Sequence, residues 1–184
     1  MKTDESLYKS YINGEDACLS LLMERYGDRL TFYINGYLHD LHDAEDLMIE
    51  SFAYLIVKKP SIKEGCFKAY LYKIARNLSL RSLDKKHRQR DFSFQDVEDE
   101  PDKKMFIEEI IQEKERYNSL HLCMEGLNSD YREALYLVYF EDMHHAEVGR
   151  IMKKSEKQVA DLVYRGRKSL RKRLEQEGIT NADY

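Results

Sequence analysis

The chain has 184 residues with 30 Lys+Arg against 34 Asp+Glu, a formal charge of −4 and a charged fraction of 35%. Two prolines and eight glycines leave few helix breakers, which excludes collagen-like and low-complexity classes. Three dispersed cysteines (Cys18, Cys66, Cys123) without a C-x-x-C pair exclude a disulfide scaffold and read as reduced thiols of a cytoplasmic protein. The opening MKTDESLYKS has no apolar stretch and is not expected to be a secretory signal. No uncharged run reaches the ~18 residues of a membrane span, so no membrane insertion is expected.

Apolar spacing is helical almost throughout. From Asp16 to Tyr37 the residues Leu19, Leu22, Met23, Tyr26, Leu30 and Tyr33 recur at three and four. A second helix begins at Asp43 and carries Ala44, Leu47, Met48, Phe52, Leu55 and Ile56 as one stripe, with Asp43, Asp46 and Glu50 opposite it. Lys58–Cys66 holds Pro60 and Gly65 and reads as a loop. The next helix runs from Phe67 to about Lys86, with Phe67, Tyr70, Leu71, Ile74 and Leu78 inward. Residues 91–104 are acidic, contain Pro101 and read as a linker, which places one domain over 1–90 and a second over 105–184. In the second, helices are expected over Met105–Gly126, from Asn128/Ser129 to Phe140, over His144–Met152, and from a capping box Ser155-x-x-Gln158 onward. The last helix buries Val159, Leu162, Val163, Gly166, Leu170 and Leu174. No alternating β pattern occurs, so the expected fold is all-α, in two small helical domains.

Charge is unevenly spread. Residues 58–90 carry +9 (eleven Lys/Arg against Glu64 and Asp84), and 150–173 carry +8 (ten Lys/Arg against Glu156 and Asp161). The remainder is acidic, with −7 over residues 1–57. Blocks of one sign are either solvated helix faces or partner-binding surfaces, and two such blocks on amphipathic helices favour the second reading.

The helices at 144–152 and 155–173, joined by about three residues, have helix-turn-helix spacing. The second would present Glu156, Lys157, Gln158, Ala160, Asp161, Tyr164 and Arg165 to a major groove. Gln bonds adenine edges, Arg and Lys bond guanine, and Asp accepts from cytosine. Arg165, Arg167, Lys168, Arg171, Lys172 and Arg173 would hold phosphates. An ordinary αα-hairpin whose cations complement the helix dipole fits the same spacing. In the earlier basic helix, Tyr70, Tyr72, Lys73, Arg76, Asn77 and Arg81 combine π-faces with cations, as single-stranded nucleic acid requires. Tyr72 falls off the apolar stripe and is the better stacking candidate; Tyr70 fits either the core or the surface. His39-x-x-His42 and His144-His145-x-Glu147 lack closed-site ligand spacing, so no metal is expected. With no phosphate loop or nucleophile elbow, neither an enzyme nor a cofactor site is expected.

Several of these stretches carry a family resemblance. Asp43-Ala-Glu-Asp-Leu47 with Glu50-x-Phe52 resembles region two of bacterial sigma-70 factors, and Phe67-Lys-Ala-Tyr-Leu-Tyr-Lys-Ile-Ala-Arg-Asn77 is similar to the promoter-melting segment that follows it. Leu127-Asn-Ser-Asp-Tyr-Arg-Glu-Ala-Leu135 and the helix-turn-helix through Arg173 resemble region four. The two-domain layout, matched from Gly14-Glu-Asp-Ala17 to about Leu174, resembles that of the extracytoplasmic-function (ECF) class.

The resemblance implies a transcription initiation factor that binds core RNA polymerase at the β′ clamp helices and β flap. Asp43, Asp46, Leu47 and Glu50 would dock on the polymerase. Tyr70, Tyr72, Lys73, Arg76, Asn77 and Arg81 would open and hold the −10 element of promoter DNA. Lys157, Gln158, Asp161, Tyr164, Arg165, Arg167 and Lys168 would read the −35 duplex. It implies an anti-sigma factor as a further partner. The competing readings are a stand-alone helix-turn-helix regulator and a helical adaptor with no DNA role; the acidic dock counts against the first and the basic aromatic helices against the second. The chain departs from the family pattern at four places. Tyr70 stands at a usual Trp, His144 at a usual Ser/Thr cap, Lys153 at the turn glycine, and Ala160-Asp161-Leu162 at a common Lys-Ser-Arg.

Overall fold

Thr3 starts the first helix: its Oγ1 accepts the Ser6 N–H (3.2 Å), and Asp4 and Glu5 fill the first turn where the helix dipole favours acids. This computed structural model describes residues 2–92, 124 and 126–176. Helix α1 spans Asp4–Ile12 and buries Leu7 and Tyr8, an element the apolar spacing gives no sign of. Helix α2 spans Ala17–Leu38 and ends at His39 in the left-handed region (φ 52°). Asp40 caps α3, Leu41–Lys58, by accepting the Asp43 N–H (3.0 Å), and Lys59 closes it, again left-handed (φ 43°). After the loop at 59–66, α4 runs over Phe67–Phe92, past the expected end and into the first two residues of the expected linker.

These four helices share one core. Leu22, Leu30 and Ile34 of α2 meet Phe52 and Leu55 of α3 and Phe67, Leu71 and Tyr72 of α4, all with almost no exposed surface. At roughly 1.5–3 kcal/mol for each large apolar side chain buried, this cluster holds the unit together. The entry to α4 is fixed from a distance, because the Phe67 N–H donates to Oε1 of Glu5, a buried carboxylate of α1 (2.9 Å). Tyr8 and Tyr26 flank the Phe67 ring at 5.5 and 6.0 Å. Ile56, expected in the buried stripe of α3, is exposed; the contact with α2 and α4 is centred on Ala44, Ser51 and Leu55, and Ile56 lies beyond its edge.

The chain divides into two units, Met1–Pro101 and Asp102–Tyr184. Most of the linker expected at 91–104, and all of the helix expected at 105–126 except Met124 and Gly126, lie outside the described residues. In the second unit, Asn128 caps α5, Ser129–Leu135, which continues as a π-helical turn over Tyr136–Phe140. Tyr136 and Phe140 stack there (5.4 Å), and the Tyr136 hydroxyl donates to Oε1 of buried Glu141 (3.2 Å). Helices α6, His145–Met152, and α7, Glu156–Gln176, complete the unit. The described residues contain helices and loops and no strand.

Candidate nucleic-acid and polymerase interfaces

The acidic face of α3 comes first in the chain. Asp46 and Glu50 are exposed and Leu47 is half-buried. Asp43 differs from them: its carboxylate forms an ion pair with Lys86 of α4, so the basic helix already neutralises one acid of the face. Between the acids run large apolar side chains that sequence reading placed in the core or passed over. Ile49 is 54% and Val57 74% exposed, and Ile56 lies beside them. Three- and four-residue spacing puts Asp46, Ile49, Glu50, Ala53, Ile56 and Val57 on one side of the helix. The sequence signal for this was a second apolar stripe, Ile49-Ala53-Ile56, offset from the core stripe.

Helix α4 presents Tyr70, Lys73, Asn77 and Arg81 at i, i+3, i+7 and i+11, one continuous face with Lys73 and Arg81 exposed and Tyr70 and Asn77 half-buried. Tyr72 is not on it. Its ring is fully buried, 5.1 Å from Tyr33 of α2, and Arg76 on the same flank is half-buried. The expectation of an exposed Tyr72 assumed a narrow stripe through Phe67, Tyr70, Leu71, Ile74 and Leu78. Packing against α1, α2 and α3 instead buries a broad arc centred near Leu71 and Ala75, which takes in Tyr72 and Ser79 and turns Tyr70 outward.

Tyr70 joins a group of phenols at the start of α4. It is hydrogen-bonded to Tyr54 of α3, and its pKa is raised by burial and by that neighbour. Tyr8 is pushed up to about 12 by burial, then by Tyr70 and Tyr11. Both phenols are neutral at ordinary pH.

In the second unit, α6 and α7 form a helix-turn-helix. Glu147 accepts the His144 N–H (3.0 Å), so half of a capping box survives without Ser or Thr at the cap. The turn is tight: a Cβ on buried Gly149 would stand 2.6 Å from the Lys154 carbonyl oxygen. Lys153 takes the left-handed conformation (φ 56°, ψ 45°) despite carrying a side chain, and the Lys154 N–H returns to the Gly149 carbonyl (2.9 Å). Lys154 Nζ is tied to Asp130 of α5 (3.0 Å). The turn therefore closes through a left-handed residue although that residue is lysine.

Ser155 and Gln158 make the full reciprocal box: Ser155 N–H to Gln158 Oε1 (2.7 Å), and Gln158 N–H to Ser155 Oγ (3.2 Å). Gln158, expected among the base readers, thus has its amide oxygen held by the backbone. Gly166 lets α7 approach α5, where a Cβ would meet Leu135 at 3.1 Å. The outward face of α7 collects Lys157, Asp161, Tyr164, Arg165 and Lys168, all exposed, with Tyr164 at 71%. Arg167 is exposed on the flank, and Arg173 leaves the face, its guanidinium lying where a side chain at Gly126 would be. Among the described residues no helix is long and apolar enough to cross a membrane, and no group of His, Cys, Asp and Glu could hold a metal ion.

An acidic-apolar helix face, a basic aromatic helix and a helix-turn-helix follow one another along the chain. Two family descriptions match the chain, Sigma-70 region 2 over residues 22–89 and Sigma-70, region 4 over residues 117–170. The ECF RNA polymerase sigma factor SigM of Bacillus subtilis is 28% identical over 149 residues, covering 77% of this chain and 85% of that protein. The ECF RNA polymerase sigma factor SigE of Mycolicibacterium smegmatis is 26% identical over 154 residues, covering 82% of this chain but only 59% of that longer relative. Among solved structures, the sigma factor RpoE of Bartonella quintana, in complex with the anti-sigma factor NepR, has a TM-score of 0.67 at 19% identity, covering 85% of this chain and 96% of that one, a likeness of fold. The chain belongs to the sigma-70 family of RNA polymerase sigma factors, in its ECF class. It is a promoter-directing transcription initiation factor, and the stand-alone regulator is not favoured.

Proposed function

We propose that three helix faces divide the work of initiation among them. Asp46 and Glu50, with Leu47 and the exposed Ile49, Ile56 and Val57, dock on the β′ clamp helices of core polymerase, and Asp43 takes part by exchanging Lys86 for a polymerase cation. Tyr70, Lys73, Asn77 and Arg81 engage the opened −10 strand, while Tyr72 and Arg76 support that helix from behind. On α7, Lys157, Asp161 and Tyr164 read the −35 duplex. Arg165, Arg167 and Lys168 hold its phosphates, and Gln158 chiefly caps the helix. The second unit also meets the β flap. The division follows residues 1–90 and 105–184, joined by 91–104.

The observation that carries this reading is the pairing of an exposed acidic-apolar face on α3 with two separate cationic faces on α4 and α7. A regulator that binds duplex alone has no use for the first. The complex of RpoE with NepR supports an anti-sigma factor as a partner here also. We place the protein in the cytoplasm, acting without chemistry of its own. Asp46→Arg with Glu50→Lys tests the dock: binding to immobilised core polymerase is expected to be lost while the melting temperature is unchanged. Retained binding would remove α3 from the polymerase interface.

A further inference from the structure

The turn between α6 and α7 contains two lysines with opposite circumstances. Lys154 is half-buried and committed to Asp130. Lys153 is exposed and makes no ion pair among the described residues, and it occupies a left-handed backbone (φ 56°) that glycine would adopt without strain. His39 and Lys59 close their helices in the same conformation, so strain alone does not single Lys153 out. The charge around α7 does. Its first six residues hold Glu156 and Asp161 against Lys157, a net negative entry for a helix meeting phosphates. The other nearby cation, Arg150, turns its Nε back to the Ala146 carbonyl (3.4 Å). The main cationic run, Arg165 to Lys172, begins more than two turns further along.

We propose that Lys153 is a DNA-backbone contact, adding a cation beside the net-negative first turns of α7. This rests on the reading of α7 as the duplex-binding helix. Asp130 pairs with the neighbouring Lys154 and Gly149 lets the turn close, which leaves Lys153 as the exposed, uncommitted lysine of the turn. The left-handed lysine is thereby explained as stability given up for a phosphate contact.

Three variants of the full chain separate the possibilities, each measured by thermal unfolding and by fluorescence anisotropy on a labelled 25-base-pair random-sequence duplex between 50 and 200 mM KCl. Random sequence suffices because a backbone contact is independent of the bases. Lys153→Gly is expected to raise the unfolding midpoint of the C-terminal unit by about 2–4 °C. It should also weaken binding about eightfold at 0.1 M salt, with a log–log salt slope shallower by about 0.9. Lys153→Gln should show the same loss without the thermal gain, and Lys153→Arg should keep wild-type affinity and slope. If both neutral variants bind like wild type while Arg165→Ala with Lys168→Ala binds weakly, Lys153 is no contact and the reading of α7 stands. A loss confined to Lys153→Gly would trace to turn flexibility and overturn the proposal. If the Arg165/Lys168 variant also binds like wild type, α7 is not a duplex-binding helix and the proposal falls with that reading.

Discussion

Tyr70 and Tyr72 sit two residues apart on one helix in different settings, Tyr70 half-buried and Tyr72 fully buried. Tyr72→Ala removes a ring that is fully buried against Tyr33, so about 3–5 kcal/mol of stability should be lost, read in denaturant unfolding of the N-terminal unit. Tyr70→Ala should leave stability near wild type while impairing transcription from duplex promoters more than from pre-melted ones. Equal losses on both templates would remove Tyr70 from strand opening. Tyr8 gives a pH signature. Its folded-state pKa is about 12, above the ordinary 10, because burial disfavours the phenolate. The unfolded chain therefore releases this proton first. The contribution of Tyr8 is intact below pH 10 and lost as pH rises from 10 to 12. Alkaline unfolding should show that loss, and Tyr8→Phe should reduce the pH dependence in this window. The capping residues Ser155 and Gln158 were legible from spacing alone, because a cap is a local interaction. The burial of Tyr72 was not, because it depends on how wide an arc three partner helices cover.

Most helices declare themselves in the sequence by an apolar stripe, and α2, α3, α6 and α7 lie within a few residues of where spacing places them. Helix α1 does not. It is only nine residues long, and its importance lies in one acid: Glu5 is buried and receives the first N–H of α4 across 62 residues of chain. Glu5→Ala should cost about 1–2 kcal/mol as a lost cap, measured by denaturant unfolding, whereas Glu5→Gln, which keeps an acceptor oxygen, should cost less. Equal costs would mean that the carboxylate's charge, and not its acceptor, holds α4. The exposed stripe Ile49-Ala53-Ile56 was hidden for a related reason. Apolar periodicity shows which residues align, and it cannot say which of two aligned stripes the core will use. The same holds for Asp43, whose place in the acidic face was readable while its pairing with Lys86, 43 residues away, was not.

Across the whole molecule, a net charge of −4 conceals two strongly basic stretches of +9 and +8, the first ending in α4 and the second covering the turn and most of α7. Their separation by acidic sequence suits a protein that should not bind arbitrary duplex tightly by itself. On the proposed dock, such a protein would gain promoter affinity once core polymerase neutralised the α3 face and brought both units to one template. This order of charges was plain in the sequence, since it needs no tertiary information, and the family match rests on the same segments. The most direct measurement is run-off transcription of genomic fragments with added bacterial core polymerase. Discrete transcripts that require both the chain and the core enzyme, and that disappear with Asp46→Arg and Glu50→Lys, are the expected result. Tight, site-specific retention of the same fragments by the chain alone, with no transcript when core is added, would contradict it.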